Sequence, residues 1–159
     1  MTISFKDNYT AFGKKYLEEL EKLKKKPYVK VGFPAPSFSK PREDDALTVG
    51  EVAVYNEFGT ETIPERSFIR TTFDEKKYQI QDFIDQVVGE ISDGKYTTEQ
   101  GLERIGLYGA KLIVEKIRTS VPPPNAPSTI ARKGSSNTLV DTGQMVQTLL
   151  AQGFEIHLP

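Results

Sequence analysis

The chain has no cysteine, no tryptophan, one histidine and two methionines. Lack of cysteine excludes a disulfide scaffold, a thiolate nucleophile and a Cys-based zinc site. The lone histidine, His157, has no second His or Cys to share a metal with. It lies on an alternating stretch in which Phe154, Ile156 and Leu158 oppose Glu155 and His157. It therefore reads as the solvent side of a strand, because catalysis would need it in a cleft beside a nucleophile. No apolar run approaches the roughly 20 residues of a membrane-crossing helix. The polar start, Met1 to Asn8, is followed by no apolar leader core, so a cytoplasm-like setting for synthesis is expected. Gly32, Gly50 and Gly59 form no phosphate-binding pattern, and no glycine-rich loop runs into Lys-Ser/Thr. A net charge of -1 argues against a protein that wraps DNA. The candidate carboxylate pairs, Asp44-Asp45 and Glu57 with Glu61, sit near loops, where solvated charge is the simpler reading. No catalytic residue, cofactor, metal or small-molecule substrate is expected, and the chain reads as a non-enzyme.

What is present suits one domain spanning all 159 residues. Charges are unevenly spread. The region before Phe33 is rich in lysine, including Lys24-Lys25-Lys26, and the stretch through Arg66 is acidic, with Glu43, Asp44, Asp45, Glu51, Glu57, Glu61 and Glu65. Two solvated faces, or complementary faces of neighbouring subunits, would both produce this pattern.

Helical periodicity runs from Ser4 to Leu23 through Phe5, Tyr9, Phe12, Tyr16, Leu20 and Leu23, with Ser4 a weak cap and Pro27 a stop. Tyr28 to Phe33 alternates as a half-buried strand. A polar, flexible loop is expected over 34–47. Thr48 and Glu51 spell a capping box, opening a short helix that ends at Phe58-Gly59. After Pro64 one long helix is expected from Ile69 to Asp93, stopped by Gly94. Thr97 and Gln100 form a second capping box. The helix that follows carries Gly106, Gly109 and Ala110, small residues that suit the close approach of another helix. The short turn between these two helices predicts an antiparallel pair. From Val121 to Thr138 the prolines Pro122, Pro123, Pro124 and Pro127 predict a stiff extended arm ending in the basic pair Arg132-Lys133. Val146 to Leu158 reads as one or two strands, with a turn or bulge at Gln152-Gly153. The fold class is therefore α+β: a small antiparallel sheet from the N-terminal strand and the C-terminal segment, an amphipathic N-terminal helix, a long antiparallel helix pair, and a proline-rich arm over 121–138.

Three segments resemble one known family. Val52-Ala53-Val54-Tyr55-Asn56-Glu57-Phe58-Gly59-Thr60, with Ile63-Pro64-Glu65-Arg66-Ser67-Phe68-Ile69-Arg70, is similar to the "EFGt…iPaRpFlr" signature of tailed-phage virion-morphogenesis proteins. These are also described as tail-completion, neck or minor tail proteins. Pro124 to Gly134 is similar to that family's proline arm, and Leu139-Val140-Asp141-Thr142-Gly143-Gln144-Met145 to its "LiDTGqm" motif. The resemblance covers roughly Val49 to Leu149. Asn56 stands where His is frequent, and Ser67 where a second Pro is frequent.

The resemblance implies a structural protein of the head–tail junction, assembled in the host cytoplasm and resident in the virion. It implies a homo-oligomeric ring, neighbours among other connector and tail proteins, and double-stranded DNA passing through the lumen without specific binding. Tail-terminator and head-closure roles belong to the same connector. A DNA-associated accessory protein using Lys22–Lys30 and Arg132-Lys133 is the more remote alternative. A ring requires unlike patches on successive subunits. Candidates for those patches are Glu57, Glu61, Glu65, Arg66, Arg70, Pro123, Pro124, Pro127, Arg132 and Lys133. Arg132 and Lys133 are expected to meet Glu57, Glu61 or Glu65 of a neighbour, the alternative being an arm that packs on its own subunit. Arg66 and Arg70 would bridge acids locally or across an interface. Phe58, Gly59, Pro64 and Phe68 are expected to anchor the short helix against the long one, with Asp141, Thr142 and Gly143 as a structural turn. Glu43-Asp44-Asp45 would suit a surface past which DNA slides.

Overall fold

The computed structural model describes residues 6–42, 47–134 and 136–158, and in the first helix the side chains from Gly13 onward. Among these residues there are eight helices and two strands in the order α1 (Lys6–Lys24), β1 (Tyr28–Val31), α2 (Ala35–Phe38), α3 (Val49–Phe58), α4 (Ile69–Glu75), α5 (Lys77–Ser92), α6 (Thr98–Arg118), α7 (Pro127–Lys133), α8 (Gln144–Gln152) and β2 (Phe154–His157). The class is α+β, as the sequence predicts. The two strands pair antiparallel, Tyr28 opposite His157 and Val31 opposite Phe154, so the sheet joins the two ends of the described chain. Gly32 N–H extends the ladder to the Gly153 carbonyl at 2.9 Å.

Helix α6 is the central element. Ile113, Val114 and Ile117 enter the main core with Val49, Ala53, Phe68, Val121, Leu139, Met145 and Leu149. Its start is a full capping box, with Thr97 and Gln100 satisfying each other's backbone N–H groups. Its antiparallel partner is α5. Phe83 stacks on Tyr108 at 4.2 Å between ring centres, Arg104 pairs with Glu90, and Ile91 lies over Gly101. Contacts that run backward in one helix as they run forward in the other fix the direction.

Sequence and structure part at several places. The single helix expected from Ile69 to Asp93 is two, because the apolar stripe lapses after Phe73. The positions three and four residues on are Lys76 and Lys77, and Lys76 leaves helical geometry at φ −104°, ψ 11°. The small residues of α6 face the sheet and its connection rather than another helix. A Cβ on Gly106 would sit 2.4 Å from the Phe154 ring, one on Gly109 3.1 Å from Val31, and the Ala110 Cβ lies 3.0 Å from a Cβ built on Gly153. The stretch expected to be strand from Val146 is helix through Gln152, with Met145, Thr148 and Leu149 buried at helical spacing. Only Phe154 to His157 remains strand.

The expected arm is extended only in its first half. Pro127 begins α7, where a fixed φ suits the first turn and the missing N–H is not needed. Gly134 ends α7 in the left-handed region at φ 66°, its N–H returning to Ile130 O at 2.9 Å. The Pro122–Pro123 peptide bond is cis.

In the 34–47 segment, Ser37 is fully buried, Val49 N–H reaches Lys40 O at 3.0 Å, and Pro41 bridges to Thr48. Glu43, Asp44 and Asp45, proposed as a DNA-facing surface, lie outside the described residues. So do Ser4 and Phe5 and the side chains of Tyr9 and Phe12 from the first apolar stripe. Tyr16, Leu20 and Leu23 of that stripe are half-buried.

Candidate functional site

Three stretches distant in sequence come together on one side of the core. The first begins with α3, whose start is the expected capping box: Glu51 N–H donates to Thr48 Oγ1, and Thr48 N–H donates to Glu51 Oε2. At its end Gly59 takes φ 74°, and a Cβ there would meet Glu65 N at 2.9 Å. Glycine is needed on both counts. The turn that follows is closed by Thr60, whose N–H donates to Ile63 O at 2.8 Å and whose Oγ1 accepts Ile63 N–H at 3.0 Å. Arg66 N–H then returns to Asn56 O at 2.7 Å, bringing Glu57 and Arg66 into the interior.

Glu57 is 3% exposed. Its carboxylate accepts from Ser67 Oγ, Phe68 N–H and Ile69 N–H, each at 2.8 Å, and from Arg70 N–H and Arg70 Nε at 3.0 Å. Phe68, at the start of α4, has no capping side chain of its own. Glu57 caps that helix from outside, offering negative charge to its unsatisfied amides. Burial pushes the Glu57 carboxyl up, but the bonds from Ile69, Arg70 and Ser67 outweigh it and hold its pKa below the ordinary 4.5.

Arg66 is 6% exposed and points to a different set of partners. Nε donates to Pro123 O at 2.8 Å, and Nη2 to Pro124 O at 3.4 Å and to Asn125 Oδ1 at 3.3 Å. These acceptors are all neutral. Nη1 donates to no acceptor among the described residues. Burial lowers the Arg66 pKa from its usual value.

The proline segment is in turn tied to the third stretch. Asn125 Nδ2 donates to Asn137 O at 3.2 Å, and Thr138 Oγ1 to Val121 O at 2.8 Å. Asn137 Oδ1 accepts from the amides of Leu139 and Val140. Arg42 Nη2 lies 3.4 Å from Asp141 Oδ2, and Gln144 Nε2 donates to Pro41 O at 2.9 Å. Gly143 is left-handed at φ 78° and begins α8.

Between these stretches lies a cleft of about 570 Å³. Its walls mix apolar side chains, Val52, Ile63, Leu139 and Met145 among them, with Tyr55, Asn56 and Thr129. Among the described residues four cations line it, Arg42, Arg66, Arg132 and Lys133, against one carboxylate, Asp141. Cations thus outnumber acids among the described residues of this concavity, in a chain of net charge -1. Burial pushes the Lys133 amine down from 10.5. Asp141 pulls it up, while Arg66, Arg132 and Arg42 add to the depression, and the net shift is downward.

The expected interface residues separate into groups. Glu57 and Arg66 are both buried, and Arg66 bridges no acid among the described residues. Their bonds run to the α4 amides and to the proline carbonyls. Pro123 and Pro124 provide those carbonyls, so this segment packs on its own subunit. Pro127 starts α7, which places Arg132 and Lys133 in its last turn at the cleft wall. Lys133 Nζ donates to Asn137 O at 3.3 Å. Glu65 is exposed and held by Arg70 at 2.7 Å. Glu61 is exposed on the turn. Phe68 is fully buried and anchors α4, whereas Phe58 is 60% exposed under the Arg70 guanidinium, 4.7 Å from its ring centre. Phe58 is therefore not the anchor expected. Pro64, Asp141, Thr142 and Gly143 all line the cleft.

His157 is remote from this site, stacked on Tyr28 at 4.6 Å with Glu155 at 3.3 Å from Nε2. No cluster of three or more His, Cys, Asp or Glu suited to a metal occurs among the described residues. Asn125, Asn137 and Arg42 were not singled out from sequence. Their roles depend on partners between 12 and 99 positions away, which no local pattern reveals. No protein-family model, no curated protein and no solved structure matches the chain.

Proposed function

We propose that the protein is a structural, non-enzymatic subunit of the tailed-phage head–tail junction, a tail-completion or neck component that forms a ring around the DNA channel. One observation carries this reading. The three segments that resemble the virion-morphogenesis family, Val52–Arg70, Pro124–Gly134 and Leu139–Met145, are separated in sequence yet line a single cleft. Their convergence on one cleft is what supports the reading. The Arg66 bonds to Pro123, Pro124 and Asn125 give two of the motifs a shared structural purpose.

In this reading the subunit docks with neighbours of its own kind and with other connector and tail proteins, and DNA passes through the lumen without specific contacts. Tail-terminator and head-closure roles are variants of the same proposal. The test is to label virions, released from a host that produces the protein, with gold-tagged antibody to the chain. Label at the neck is expected. Disruption of the gene should leave filled heads and separate tails. Virions without label, or joined particles after disruption, would overturn the proposal.

A further inference from the structure

We propose that the cleft bounded by α3, the proline segment and α7 is a receptor for a carboxylate-bearing peptide segment of another protein chain. Arg66 provides the primary reason. It is only 6% exposed, its hydrogen bonds among the described residues all end on neutral oxygens, and Nη1 donates to no acceptor among them. The guanidinium charge meets only neutral acceptors among the described residues, and an incoming carboxylate would add a charge-assisted bond. Arg132 and Lys133 line the same concavity, and neither forms an ion pair among the described residues. Asp141, the one acid among the described residues of the lining, already lies 3.4 Å from Arg42 Nη2.

The shape selects among anions. The volume of about 570 Å³ lies within the range of roughly 300–1,000 Å³ typical of built ligand sites. Inorganic phosphate would leave the walls of Val52, Ile63, Pro64, Leu139 and Met145 uncovered. A peptide that alternates acidic and aliphatic side chains covers both parts of the lining. Duplex DNA fits poorly, because its phosphates form a convex row and Arg66 lies inside a concavity. The site is a property of the isolated subunit and would stand even if the virion reading failed.

The probe is a dye-labelled, end-blocked eight-residue peptide of alternating Leu and Glu, titrated with the full chain and read by fluorescence anisotropy. Saturable binding that weakens with added salt is expected, with no binding by the same peptide carrying Gln for Glu. The double variant Arg132→Gln/Lys133→Gln should weaken binding about tenfold or more while circular dichroism and the thermal midpoint stay unchanged. The control Lys111→Gln, on the outer face of α6, should bind like the parent. Absence of saturable binding overturns the proposal. So do equal affinities for the Glu and Gln peptides, or an unaffected double variant. Tighter binding of a 20-base-pair duplex in the same salt would make the cleft a nucleic-acid site instead. Full displacement of the peptide by equimolar inorganic phosphate would reduce it to a small-anion site.

Discussion

Glu57 and Arg66 belong to the same short motif and both are buried, yet their situations are opposite. Glu57 is a closed site. Five donors converge on its carboxylate, three of them backbone amides at the start of α4. Nothing is left over for a partner. Arg66 is an open site, with three bonds to neutral oxygens and one nitrogen that donates to no acceptor among the described residues. The difference teaches that burial alone does not separate a structural charge from a functional one. The deciding question is whether the protein itself completes the coordination.

The largest effect should come from Glu57→Ala. It removes the cap of α4 and strands several buried amides, so a loss of about 3 kcal/mol is expected in urea unfolding. A loss below ~1 kcal/mol would mean that Glu57 is not the closed site described. Arg66→Met should cost less, about 1–2 kcal/mol, because stranded carbonyls are partly offset by removing a buried charge. If Arg66→Met were the more damaging change, the comparison would be reversed.

Acid titration gives a third, smaller readout. Glu19 repeats the Glu57 arrangement elsewhere, its carboxylate accepting Thr98 N–H at 2.6 Å at the start of α6 and pairing with Lys22 at 2.7 Å. Burial raises its pKa, but Lys22 and Thr98 together bring it down to about 2. Both carboxylates are depressed when folded, so the unfolded chain binds more protons just below pH 4.5. Their contribution is fully present above that value and is lost as pH falls toward 2. The double variant Glu19→Gln/Glu57→Gln should flatten the acid limb of a plot of stability against pH. An unchanged limb would count against both caps. The smallest effect belongs to Glu65→Ala. Its pair with Arg70 is solvent-exposed and Arg70 keeps Glu57, so no measurable change in unfolding midpoint is expected.

The elements visible in the sequence were those with local causes. Both capping boxes, the stops at Gly59 and Gly94, and the strand from Tyr28 depend on residues within one turn or one pleat. α7 also had local signals, Pro127 at its first turn and Gly134 at its end, but three preceding prolines suggested a continuous extended run. α8 was obscured because Val146 and Thr148 suit strands, although Met145 and Leu149 keep helical spacing. The site was legible only as motifs. Their convergence depends on Arg66 finding acceptors 57 to 59 positions away. Such pairings belong to the tertiary fold, and the residues that make them carry no local mark.

The open character of Arg66 can be read directly by nitrogen-15 NMR of arginine side chains during titration with the Leu–Glu peptide. The Arg66 Nε signal should move progressively to saturation while that of Arg70, already committed to Glu57 and Glu65, stays in place. A static Arg66 signal alongside a moving Arg70 signal, or no movement of either at saturating peptide, would contradict the account.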